Sequence, residues 1–141
     1  MILFDTSVLI DARDPGSPWH DWAKDQIATA VGGEGAAANT ITITEASVRA
    51  VDPEAVPRLL EGFGMTLQNL PVSAAVPAAK TFRLYLDRLK KESKKPDSKI
   101  PLPDFLIGAH AQAEGMHLVT RDPERVRTYF PGVRLITPPG V

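Results

Sequence analysis

The sequence predicts an α/β fold built on a mainly parallel, five-stranded sheet. Three observations carry that reading. Short apolar or β-branched runs alternate with segments of helical periodicity, the pattern of βαβ units. The opening run, Ile2, Leu3 and Phe4, is continuously apolar, as suits a strand covered on both faces. Acidic residues follow the runs: Asp5 closes the first and Asp122 comes after a later one.

The elements follow in order. Ile2–Phe4 is the first strand. Ser17 and Pro18 mark a helix start, a side-chain cap and then a residue pre-set for the first turn. Trp19, Trp22, Ala23, Ile27 and Ala30 follow at helical spacing, and Gly32, Gly33 and Gly35 stop that helix. Thr40, Ile41, Thr42 and Ile43 are β-branched and predict the second strand. A short helix is expected from Glu45 to Val51, and Pro53 opens another through Leu59, Leu60 and Phe63. Met65 to Leu70 reads as the third strand. Ser73 is placed to cap a long helix carrying Val76, Ala79, Phe82, Leu86 and Leu89, with Pro77 in its first turn. Pro103 and Asp104 open an apolar helix to Ala113, closed by Gly115. His117–Thr120, a short helix from Pro123 to Phe130, and Val133–Ile136 complete the series.

The chain has 141 residues, the length of one domain, and neither a repeat nor a linker divides it; a single domain over 1–141 is expected. Sixteen Lys and Arg against seventeen Asp and Glu give a net charge of -1, which excludes a wholly basic nucleic-acid binder but not a local basic patch. The absence of cysteine excludes disulfides, thiol nucleophiles and thiolate metal sites. Met1 leads directly into the first strand, and no apolar stretch approaches the roughly 20 residues of a membrane span. A cytoplasmic protein without membrane association is expected.

Four acids stand out by position: Asp5 after the first strand, Glu45 after the second, Asp104 at the start of the apolar helix, and Asp122 after the fourth strand. Each has an ordinary explanation as a cap, a helix-dipole partner or a turn residue. Ligands of open α/β sheets bind beyond the carboxyl ends of the strands, where these acids would be delivered. If they converge, no Lys or Arg stands obviously placed to neutralise them. Like charges so close require protonation or a cation between them. Carboxylate oxygens without thiols or clustered imidazoles suit Mg²⁺ or Mn²⁺. Such a centre supports hydrolysis of a phosphodiester.

MILFDTSVLID resembles the first motif of PIN-domain ribonucleases. PLPDFLIGAHAQAEGMHLVTRD is similar to their third and fourth motifs, and TITITE supplies the second acid. The compact length resembles VapC-type toxins of prokaryotic toxin–antitoxin pairs. The resemblance implies a three-layer α/β/α PIN fold and a Mg²⁺- or Mn²⁺-dependent endoribonuclease. It also implies a homodimer held in check by a cognate antitoxin, with RNA as substrate. By position, Asp5 and Asp104 are its principal metal ligands. Glu45 and Asp122 complete the catalytic acids, and Thr6 and Thr120 are hydroxyls that orient them. Two departures stand out: Ser7 occupies a place where many relatives have Asn, and the fourth motif continues as Pro-Glu-Arg. An RNA-processing PIN nuclease and a non-catalytic PIN-fold module are the alternatives. A haloacid-dehalogenase-type phosphotransferase would need a second Asp where Ser7 stands, and a receiver-like module would need adjacent acids.

Between Arg88 and Lys99 the chain carries a net charge of +4. Arg88, Lys90, Lys91, Lys94, Lys95 and Lys99, together with Arg121, are candidate RNA contacts, against the plain reading of a solvated helix end. Arg125 and Arg127 flank the fourth acid as contacts for RNA or for an antitoxin. Asp11 is expected to be a helix-associated or surface acid. His20, His110 and His117 are scattered and read as structural, and Trp19 and Trp22 as a core or partner-facing pair.

Overall fold

The structure, a computed structural model, describes residues 1–95 and 101–141. Five parallel strands form one sheet: β1 (Ile2–Phe4), β2 (Ala36–Asn39), β3 (Thr66–Gln68), β4 (His117–Val119) and β5 (Leu135–Ile136). Their order is β3-β2-β1-β4-β5. The chain therefore runs outward from β1 through β2 to β3, then returns to lay β4 on the other side of β1. This reversal opens a crevice at the carboxyl ends of β1 and β4.

Among the described residues seven α-helices cover the two faces: α1 (Thr6–Arg13), α2 (His20–Val31), α3 (Thr40–Val48), α4 (Val56–Gly62), α5 (Val72–Lys91), α6 (Leu102–Glu114) and α7 (Glu124–Tyr129). Strand residues alternate between two cores, as the period of two requires. Leu3, Ala37 and Leu118 pack with Ala74 and Tyr85 of α5, Phe105 and Ile107 of α6, and Val126 and Phe130. Phe4, Ala36, Ala38 and Val119 pack with Val8 and Leu9 of α1, Ala23 and Ile27 of α2, and Leu60 of α4. The α/β/α layering is thus as predicted.

The largest departure concerns the second strand. Thr40–Ile43 is not extended; it forms the first turn of α3, and the strand is the preceding Ala36–Asn39. Alanine has weak strand propensity, but β2 lies between β1 and β3 with its alanines wholly buried, and position overrides propensity. Asn39 then caps α3: its side-chain oxygen accepts the Thr42 N–H at 2.9 Å, while the Thr42 hydroxyl donates to the Asn39 carbonyl at 2.9 Å. The cap forces the β-branched run into a helix. Gly35 before the strand has φ +93, which favours glycine.

Smaller corrections follow the same logic. Helix α2 starts at His20, and Ser17 Oγ accepts the Trp19 N–H at 3.1 Å just before it. Pro53 opens a 3₁₀ turn (Pro53–Ala55) that leads into α4. Helix α5 begins at Val72 after Pro71, so Ser73 does not cap it and Pro77 lies inside it. Helix α1, for which the sequence offered no separate start, is capped by Asp5 itself. Gly115 closes α6 in the left-handed conformation, as expected. No helix of the described residues is long and apolar enough to cross a membrane.

Candidate active site

The crevice beyond β1 and β4 holds a cavity of about 390 Å³. Asp5, Glu45, Asp104 and Asp122 all line it, with Thr6 and Ser7. Four separate segments deliver the acids. Asp5 leaves β1 and caps α1, its Oδ1 accepting the Thr6 N–H at 2.8 Å. Glu45 projects from α3, where its Oε1 accepts the Thr6 hydroxyl at 2.6 Å. Asp104 lies in the first turn of α6, and Asp122 follows β4.

The two threonines tie the acids together. Thr6 bridges Asp5 and Glu45 through its N–H and its hydroxyl. The Thr120 hydroxyl donates to Asp5 Oδ2 at 2.8 Å and accepts the Asp122 N–H at 3.1 Å. Both threonines are buried, so their geometry is constrained by packing. A buried pair of polar side chains supports the Glu45 helix from beneath. Asn39, having spent its oxygen on the α3 cap, meets His110 Nδ1 through Nδ2 at 3.0 Å. Burial depresses the His110 pKa and keeps the ring neutral, which lets Nδ1 accept. His110 is structural, as read.

Electrostatics set Asp5 apart. Burial, then the charge of Asp104, lifts its pKa from 3.8 to about 7, and Asp122 adds to the rise. The Thr120 and Thr6 hydrogen bonds offset only part of this. Burial likewise raises the Asp104 carboxyl, although Arg125 pulls it back. Arg125, on α7, donates through Nη1 to Asp104 Oδ2 and packs over the rings of Tyr85 and Phe105, with its guanidinium carbon 5.7 Å and 6.0 Å from their centroids. The sequence reading left the acids without a counter-cation; Arg125 corrects that for Asp104. Nothing local signals this contact, because the partners are 21 residues apart on different helices.

Other side chains also depart from the sequence reading. Asp11 is helix-associated, on α1 as read, but it is buried rather than at the surface and pairs with Arg121 at 2.6 Å. Arg49 lines the cavity four residues beyond Glu45, a spacing that places both on one helix face and could have flagged it. Of the basic segment, Arg88 lies over the Tyr129 ring with its guanidinium carbon 5.5 Å from the centroid, and Lys94 pairs with Glu92 at 3.4 Å. Arg88, Lys90, Lys91, Lys94 and Lys95 are exposed, and none lines the acidic cavity. A neighbouring hollow of about 320 Å³ contains Arg88 and Lys94 and shares Arg125 with the cavity. Lys99 lies outside the described residues.

Among the described residues no three acidic or histidine side chains form a ready-made metal cage. The donor chemistry nevertheless fits a hard cation. All the candidate ligands are carboxylate oxygens; among the described residues Asp5 has hydroxyl and N–H partners but no ion pair, and the buried Ser7 Oγ on the same wall has no hydrogen-bond partner.

Residues 2–131 match the family model described as PIN domain. The chain belongs to the PIN-domain family. No curated protein matches the sequence. The PIN fold here is similar to the structure of VapBC2 from Rickettsia felis bound to a DNA fragment from its promoter, with a TM-score of 0.67 at 17% identity over 97% of this chain and 98% of that one. It is also similar to FitAcB from Neisseria gonorrhoeae, with 0.64 at 18% over 100% of both chains. A toxin–antitoxin complex from Klebsiella pneumoniae gives 0.60 at 24%, again over 100% of both.

Proposed function

We infer that this PIN domain is a cytoplasmic, divalent-metal-dependent endoribonuclease and the toxin half of a toxin–antitoxin pair. One observation carries the reading: four carboxylates from four segments line a single cavity at the switch point of the sheet, and the deepest of them, Asp5, has no cationic partner among the described residues. The similar structures, described as VapBC, FitAcB and toxin–antitoxin complexes, support the toxin assignment and an antitoxin partner.

Asp5 and Asp104 would hold Mg²⁺ or Mn²⁺, with Asp122 acting through water. When bound, the ion lowers the pKa of a coordinated water and neutralises charge on the phosphodiester. The chain's own residues do the rest. Thr120 and Thr6 fix the Asp5 carboxylate by one hydrogen bond to each oxygen. Glu45, held by the Thr6 hydroxyl, is the group positioned to accept a proton from an attacking water. Arg125, which donates to Asp104 Oδ2, would have to yield that oxygen for Asp104 to act as a ligand. The basic end of α5 supplies sequence-independent affinity for RNA. The working form is a homodimer.

The decisive experiment is cleavage of labelled RNA in Mn²⁺ by the wild type, Asp5→Asn and Asp104→Asn. Cleavage by the wild type alone, abolished by EDTA, is expected. Wild-type rates in both variants would end the nuclease assignment. Expression of the chain by itself should arrest growth; growth at the normal rate with active cleavage would point instead to RNA processing.

A further inference from the structure

The Asp11–Arg121 pair serves no purpose in the scheme above, yet it is built with care. Asp11 is 4% exposed, on α1. Its Oδ2 accepts Arg121 Nε–H at 2.6 Å, and its Oδ1 takes Ser17 Oγ–H at 3.0 Å and Arg121 Nη2–H at 3.5 Å. Ser17 is itself fixed, accepting the Trp19 N–H. The two partners are 110 residues apart, so the contact joins α1 to the end of β4. Arg121 sits between Thr120 and Asp122 and lines the acidic cavity.

A free guanidinium at that position would turn to the nearest carboxylates, as Arg125 does to Asp104. Asp11 prevents this. It neutralises Arg121 and engages the Nε side of the fork. A guanidinium carries five N–H groups in a rigid plane, and Asp11 uses two. The other three belong to a side chain that remains 33% exposed at the cavity. That edge matches the oxygens of a phosphodiester.

We propose that Asp11 is a positioning residue: it anchors Arg121 by one edge, keeps that cation off the neighbouring acids, and leaves the other edge to hold an RNA phosphate over the cavity. The proposal rests on the nuclease reading, and it assigns separable duties to two residues in direct contact. Arg121 serves substrate binding; Asp11 serves substrate binding and the openness of the acids to a cation.

The test combines Mn²⁺ affinity, measured by electron paramagnetic resonance on the whole protein, with kcat and KM on a labelled RNA that the wild type cuts. Asp11→Asn frees Arg121 to pair with the acids, so Mn²⁺ affinity should fall about tenfold and KM should rise. Arg121→Gln should raise KM about tenfold, more than it lowers kcat, with Mn²⁺ affinity within twofold of wild type. The double variant should recover the Mn²⁺ affinity that Asp11→Asn forfeits but not the KM. A merely structural role cannot give that recovery. Unchanged KM in Arg121→Gln overturns the proposal, whether or not Asp11→Asn folds, as does unchanged Mn²⁺ affinity in a folded Asp11→Asn. A wild type that neither binds Mn²⁺ nor cuts RNA removes the nuclease reading itself, a different result from either.

Discussion

Replacing Asp5 with Asn should stabilise the metal-free protein while abolishing its proposed activity. The Asp5 carboxyl ionises at 3.8 when unfolded and at about 7 in the native state. Between those values the folded protein holds a proton that the unfolded chain has released. Stability therefore falls as pH rises from about 4 to 7, and the full penalty is present above pH 7. Each pH unit of displacement is worth about 1.4 kcal/mol, so the penalty approaches about 4 kcal/mol. Water in the open cavity screens part of it, leaving roughly 2–4 kcal/mol. Asn cannot ionise. Its oxygen still accepts the Thr6 N–H, and its amide can donate to the Thr120 hydroxyl, whose own proton then loses the Asp5 acceptor, a cost that subtracts from the gain. In EDTA at pH 8 the variant should melt roughly 6–12 °C above wild type by circular dichroism. The gap should close towards pH 4, where both side chains are neutral. Saturating Mn²⁺ should cancel or reverse the order: at 1,000 times its Kd it adds about 4.1 kcal/mol to the wild type and little to the variant. A variant no more stable than wild type at pH 8 would refute the assignment of Asp5 as a strained, cation-seeking carboxylate.

Gly108→Ala should destabilise by about 1–3 kcal/mol, because a Cβ there falls 2.6 Å from Phe130 Cδ2 in a fully packed core; urea unfolding should show a lower midpoint with an unchanged m-value. Asn39→Ala removes the α3 cap and strands the buried His110 Nδ1, together about 2–4 kcal/mol, and its residual cleavage should drop because Glu45 rides on that helix. Changing Lys90, Lys91, Lys94 and Lys95 together to Gln should weaken RNA binding and flatten its salt dependence by about 0.7 in log–log slope for each phosphate no longer neutralised; an unchanged slope would reduce that helix end to a solvated surface.

The strands that read correctly did so for local reasons. Ile2–Phe4 is a short apolar run followed at once by Asp5, His117–Val119 is a short run bounded by Gly115 before it and Asp122 shortly after, and their neighbours carry ordinary helix signals. Thr40–Ile43 misled because its β-branched composition was weighed without Asn39, whose cap decides the backbone. Helix α1 was missed because its cap, Asp5, doubles as the acid at the end of β1.

Asp5, Asp104 and Asp122 were visible before any coordinates, since each falls beside a strand end or a helix start; Glu45 was picked out as following a strand, but it lies within α3. Their company was not. Which arginine meets Asp104, which one Asp11 holds, and how far burial lifts Asp5 depend on side chains drawn from α1, α7 and the end of β4. Periodicity, caps and glycines act over a few residues and are written locally, whereas ion pairing and desolvation are set by which surfaces the packed sheet brings face to face.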